Sequence, residues 1–180
     1  MLRLFTAIEI PETLRTRLTF LQSGVPGARW TPVENLHLTL RFIGEVDEPT
    51  AVDIDAALSV LREDAFQLTL RGVGEFGGRD PHAIWAGVAA NPALTHLVAK
   101  IERALQRIGL PAETRKYAPH VTLARLRDTP VAKVLEFLST HGLFDSGPFD
   151  VRSFGLYSSF QTPRGSLYRE ERRYPLELTD

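Results

Sequence analysis

Two strings in the 180-residue sequence repeat one another: Leu36-His37-Leu38-Thr39-Leu40 and Pro119-His120-Val121-Thr122-Leu123. Each sets a histidine two residues before a threonine, with apolar residues between and after them. A lone histidine on a strand is more often a hydrogen-bonded structural residue than a catalyst, and threonine is common in strands because β-branched side chains fit a pleated surface. The doubling is what carries weight, since the chain has five histidines in all and two of them head the same string. An unperturbed imidazole titrates near pH ~6.5, so two of them can divide acid and base roles at neutral pH. One takes a proton from an attacking water, and the other gives a proton to a departing oxygen. The threonine hydroxyls can donate hydrogen bonds to non-bridging phosphate oxygens, where charge accumulates in the transition state. Such a set suits phosphoryl chemistry and requires no metal.

The elements that must position these residues are strands. Side chains at i and i+2 of a strand point the same way. His37, Thr39 and Arg41 therefore share one face by alternation, and Leu38, Leu40 and Phe42 the other. His120 and Thr122 pair in the same manner, over apolar Val121 and Leu123. Around the motifs, the pattern predicts strands over residues 2–10, 36–43, 66–76, 83–88, 120–126, 149–160 and 166–175. Helices are predicted from Glu12 to about residue 21, and over 48–61, 92–108 and 131–138. Pro11 opens the first helix, where its missing N–H costs nothing, and Gly109 closes the third. Gly77-Gly78-Arg79-Asp80-Pro81 and Gln161-Thr162-Pro163-Arg164-Gly165 are turn signals that make two hairpins. Mixed strands and helices with hairpins read as α+β rather than a doubly wound parallel sheet. No linker or low-complexity stretch divides the chain, so residues 1–180 read as a single domain. His37 and His120 lie 83 residues apart, too far for a solenoid repeat. That spacing fits two halves of a duplicated, two-lobed domain. If a pseudo-twofold axis relates the lobes, the two polar pairs meet across a groove.

Composition removes several alternatives. The chain has no cysteine, which excludes disulfides, thiolate zinc sites and a cysteine nucleophile. A zinc site on His37 and His120 lacks a third ligand at telling spacing, and no carboxylate cluster offers a metal site. His82, His96 and His141 are assigned structural or solvent roles. No Gly-x-Ser-x-Gly elbow supports a serine triad. No metal or other cofactor is expected. The net charge of -1 argues against a protein that coats duplex nucleic acid by charge alone. It leaves room for a small basic cleft that holds one phosphate or a single-stranded end. Arg115 and Lys116 precede the second motif on a loop read as solvated. No apolar stretch approaches membrane-span length, and the opening residues look like a strand rather than a leader. A cytoplasmic monomer without a membrane partner is expected.

Beyond the motifs, the sequence resembles the two-histidine phosphoesterases. Within them it is most similar to the bacterial and archaeal RNA 2',3'-cyclic phosphodiesterases of the 2'-5' RNA ligase family. The likeness covers nearly the whole chain. It runs through the opening strand Leu4–Pro11, the approach Trp30–Leu36, the segment Phe42–Val46 and Phe76-Gly77-Gly78-Arg79. It continues in Ile84–Val88, in Ala124-Arg125 after the second motif, and in Leu156-Tyr157-Ser158-Ser159. The resemblance implies a bilobal fold with mostly antiparallel sheets and both motifs facing a central cleft. It implies that His37 and His120 are the acid–base pair, with a lean towards His120 as base and His37 as acid, and that Thr39 and Thr122 hold the phosphate. It also implies a phosphate-contacting arginine at Arg125. Strand alternation alone puts Arg125 with Val121 and Leu123, away from the cleft, and makes Arg41 the better cleft arginine. Phe42 alternates onto the core face. The activity implied is opening of a 2',3'-cyclic phosphate at an RNA 3' end, or on a small nucleotide, to a 2'-phosphate. The reverse ligation, or a non-catalytic RNA- or nucleotide-binding module, are the alternatives.

Overall fold

The computed structural model describes residues 1–179. In chain order its elements are β1 (Leu2–Glu9), α1 (Glu12–Thr19), β2 (Ala28–Trp30), β3 (His37–Val46), α2 (Glu48–Ser59), β4 (Phe66–Phe76) and β5 (Ala83–Val88). They continue as α3 (Pro92–Arg107), β6 (His120–Leu126), α4 (Val131–His141), β7 (Asp145–Val151), β8 (Ser153–Thr162) and β9 (Gly165–Pro175). A single 3-10 turn, Val33–Asn35, precedes β3. Local signals set the helix starts. The Asp47 carboxylate accepts from the Thr50 amide ahead of α2, and the Asn91 side chain accepts from the Leu94 amide ahead of α3. Each satisfies an amide that would otherwise lack a partner at a helix N-terminus.

The strands form two antiparallel sheets, in the orders β3-β1-β8-β9 and β2-β6-β5-β4-β7. The motif strands β3 and β6 hold matching places: β3-β1-β8-β9 corresponds to β6-β5-β4-β7, with β2 added beside β6. This is the two-lobed, duplicated α+β arrangement expected from the repeated strings. Leu38, Leu40, Val121 and Leu123 are each 2 % exposed or less, so one face of each motif strand is wholly in the core. At roughly 1.5–3 kcal/mol per fully buried leucine, that face anchors the strand.

Each motif strand also carries an unpaired residue at the leucine after its threonine. Thr39 lies opposite Ala7 and Arg41 opposite Thr6, so two steps on β3 match one on β1 and Leu40 is extra. Thr122 lies opposite Trp85 and Ala124 opposite Ile84, so Leu123 is extra on β6. A bulge of this kind re-aims the side chains beyond it. Alternation is thus reliable up to each threonine and reversed afterwards. Arg41 shares a face with buried Thr6, whereas Phe42 joins Phe5 on the motif face. Ala124 is buried and Arg125 is exposed, on the face of Thr122.

Two further differences from the sequence reading concern strands. The short strand β2 was not expected. Residues 149–160 are not one strand, because the chain leaves the second sheet at Val151 and enters the first at Ser153. A switch of sheet at a single residue leaves no turn signal in the sequence. The division into a core face and a motif face is testable with Leu38→Ala, which should cost about 2–5 kcal/mol in denaturant unfolding. Its neighbour Thr39→Ala should cost much less.

Candidate active site

Both motif histidines stand at the first residue of their strands. Both rings are captured the same way. His37 Nδ1 lies 2.7 Å from the Asn35 carbonyl oxygen, and His120 Nδ1 lies 2.6 Å from that of Ala118. A carbonyl can only accept, so Nδ1 carries the hydrogen in each ring. In the neutral imidazole this leaves Nε2 bare and able to take a proton. Thr39 Oγ1 is 2.8 Å from His37 Nε2, the hydroxyl donating to the unprotonated nitrogen.

Aromatic side chains hold each ring. Phe5 lies 5.0 Å from His37 between centroids, and Tyr168 meets the same ring edge-on at 5.2 Å. Phe76 meets His120 edge-on at 4.9 Å, with Trp85 6.2 Å away. Trp85 can lie flat there because its cross-strand neighbour is Gly74, where a Cβ would sit 2.2 Å from the indole. Burial lowers the His37 pKa below its ordinary value. The bond to the Asn35 carbonyl opposes this shift, and a charge on His120 adds to it.

The lobes are tied together beside the site. The Tyr117 hydroxyl, on the chain that leads into β6, donates to the Thr39 carbonyl at 2.9 Å. Burial raises the pKa of this phenol, so it remains a donor. Arg41 is held on the other face of β3. Its Nε pairs with Glu102 of α3 at 2.5 Å, and its terminal nitrogens donate to the Pro111 and Phe42 carbonyls. Burial would raise the Glu102 pKa, but hydrogen bonds from Arg41, Gln106 and the Glu113 amide outweigh it and hold the carboxyl low. The expectation that Arg41 contacts substrate is therefore corrected. The bulge at Leu40 carries it to the far face, where it braces the loop before the second motif.

Arg125 is exposed and, among the described residues, its side chain has no hydrogen-bonding partner. Phe42 is also corrected: it is 41 % exposed on the motif face, with the Arg3 guanidinium 5.2 Å from its ring. The other three histidines lie against structural neighbours. His82 stacks on Phe76, His96 reaches Glu63 at 3.2 Å, and His141 packs on Phe137. Arg115 contacts Glu113 on the surface. Among the described residues, no three histidine, aspartate or glutamate side chains gather as metal ligands. Among the described residues, no helix is long and apolar enough to cross a membrane. Among the residues around His37 and Thr39 that sequence reasoning missed are Phe5, Tyr117 and Tyr168. Alternation on residues 2–10 offered a signal for Phe5 alone.

The lowered His37 pKa has a measurable consequence. Its neutral form is favoured in the empty site, so its NMR titration midpoint should fall below the usual ~6.5. An added nucleoside 2'-phosphate places negative charge beside the ring, favours the charged form and should move the midpoint upwards. A midpoint that ignores the nucleotide would separate His37 from the phosphate site.

The family model of the 2'-5' RNA ligase superfamily matches residues 11–161. The RNA 2',3'-cyclic phosphodiesterase of Aeropyrum pernix is 35% identical over 158 residues, covering 86% of this chain and 89% of that protein. The enzyme of the same name from Archaeoglobus fulgidus is 30% identical over 177 residues, covering 95% and 98%. Among solved structures, E. coli LigT complexed with 3'-AMP superposes with a TM-score of 0.80 at 28% identity, over 97% of this chain and 98% of that one. A chain matched by the family model over most of its length, and by these relatives nearly end to end, belongs to the 2'-5' RNA ligase superfamily.

Proposed function

We propose that this chain is an RNA 2',3'-cyclic phosphodiesterase that opens a 2',3'-cyclic phosphate, at an RNA 3' end or on a small nucleotide, to a 2'-phosphate. One observation supports the mechanism best: both Nδ1 hydrogens are committed to backbone carbonyls, which leaves both Nε2 atoms available for proton transfer. His120 removes a proton from water as its oxygen bonds to phosphorus. The bond from phosphorus to O3' breaks, and His37 protonates that oxygen. Burial favours the neutral form of His37 in the empty site, and an anionic phosphate beside the ring favours the charged form that the acid role requires. Thr39 and Thr122 donate to the non-bridging oxygens, Thr39 turning from His37 to do so. The acid and base assignments follow the family resemblance, as does the role of Arg125, which the bulge at Leu123 supports by bringing it to the Thr122 face. The proposal includes a single two-lobed domain acting as a cytoplasmic monomer.

The test is an RNA ending in a 2',3'-cyclic phosphate, with the product read by its resistance to a 3'-specific phosphatase. Turnover should persist in EDTA, because two histidines supply both proton transfers. His37→Ala and His120→Ala should each lose about 10²–10⁴-fold in rate. The double variant should lose far less than the product of the singles, since the pair acts as a unit. Near-native turnover in either folded single variant would falsify the mechanism.

The two arginines should separate cleanly. Arg125→Ala should raise KM and leave thermal stability unchanged. Arg41→Ala strands the Glu102 carboxylate, whose side chain is 20 % exposed, and should destabilise the fold by about 3 kcal/mol, the low end for a broken buried pair.

A further inference from the structure

The first sheet curls over its own motif. Tyr168 belongs to β9, and β1 and β8 intervene between β9 and β3, yet its ring touches His37. The Asn35 side chain pins the curl by donating to the Ser166 carbonyl at 2.8 Å. The curl shapes an open pocket of about 220 Å³ with His37 in its wall. A single water needs only ~10–15 Å³ of such space, so the pocket has room for a ligand on the scale of an aromatic heterocycle.

The lining of this cavity does not suit a phosphate. Its apolar part is aromatic: Phe5 and Tyr157 stack at 5.5 Å, with Tyr168 edge-on to Phe5 at 5.1 Å. Tyr157 is pressed flat against Gly155, where a Cβ would sit 2.6 Å from the ring. Its polar part includes three carboxylates, Glu9, Glu34 and Glu170, which repel an anion. Arg173 bridges two of them, donating to Glu170 at 2.8 Å and to Glu9 at 3.1 Å. Each keeps a second carboxylate oxygen for a ligand donor. Arg15 completes the wall, and among the described residues its buried Nε has no hydrogen-bond partner. Flat aromatic faces beside spare acceptors and an unused donor describe a site for a neutral heterocycle. The proton transfers use none of these groups.

We infer that this pocket takes the nucleobase of the terminal nucleotide and favours guanine over uracil. The inference rests on the cyclic phosphodiesterase reading, in which His37 protonates the departing O3' and so stands on the ribose side of the phosphate. The base hangs from that ribose. Guanine presents O6 and N7 to an arginine and its N1–H and amino hydrogens to a carboxylate, whereas uracil has no amino group. Stacking on the aromatic faces supplies a sequence-independent share of affinity.

The experiment compares kcat/KM for the 2',3'-cyclic phosphates of guanosine, adenosine, cytidine and uridine with that for ribose 2',3'-cyclic phosphate, which lacks a base. The base-free substrate should be poorer than guanosine by about tenfold or more. Guanosine should lead and uridine should trail the four. Arg15→Gln and Glu170→Gln should bring the guanosine-to-uridine ratio towards one, about tenfold for a charge-assisted hydrogen bond. Equal turnover of all five substrates by the native enzyme overturns the inference and leaves the activity standing, whether or not the variants fold. A ratio unchanged in both variants also overturns it. Failure to open any of the five overturns the activity, and the pocket's role with it.

Discussion

Both catalytic candidates depend on one contact, a backbone carbonyl two residues upstream that takes the Nδ1 hydrogen. It works because each histidine is the first residue of its strand, so the preceding chain has not yet entered a ladder and its carbonyl is open to the ring. The ring's tautomer and direction are then set by the backbone, with no carboxylate partner. A third-residue aspartate would raise the basicity of the imidazole and hold it charged. A neutral carbonyl orients each ring without setting a fixed charge beside it.

Two such rings in separate lobes serve one phosphate only if the lobes keep their spacing. Tyr117 and Arg41 divide that work across the two faces of β3. Tyr117 fixes the approach to β6 against the carbonyl of Thr39. Arg41 clamps the same loop through Pro111 and Glu102. Glu102 also accepts from the Glu113 amide, so helix, loop and motif strand share one polar knot. The charge pair there is largely buried and both partners make further hydrogen bonds, the condition under which such a pair is tolerable. Its service is geometric: a loop of irregular backbone is given the rigidity of the strand beside it.

The motifs, their strands and the core face were legible because period-two alternation is a local property. His37, Thr39, His120 and Thr122 needed nothing else. Alternation failed one residue beyond each threonine. A bulge depends on how the partner strand registers, and neither Leu40 nor Leu123 looks unusual in its own string. The same fault misdirected Arg41, Phe42 and Arg125, the last of which lies on the face of Thr122 rather than with Val121 and Leu123. Tyr157, Tyr168 and Glu170 were illegible for a different reason. They reach His37 only through the curl of a four-stranded sheet, a long-range consequence of twist that no window of sequence contains. The strand β7 escaped because it adds to one sheet while the next residues add to the other.

The order in which the strands are made gives the interleaved topology a temporal meaning. Sheet two is complete once β7 has been synthesised, while sheet one still consists of β1 and β3 alone. On the ribosome, the hydrophobic face of that pair must wait for β8 and β9, the slow kind of pairing across a long loop. Both histidines are already present at that stage, at residues 37 and 120. Tyr157, Tyr168 and the Ser166 carbonyl that pins the curl are not. A nascent chain thus carries the full pair of motifs well before it has a walled site. The wall beside His37 is completed only by the closing hairpin, after both motif strands have been made.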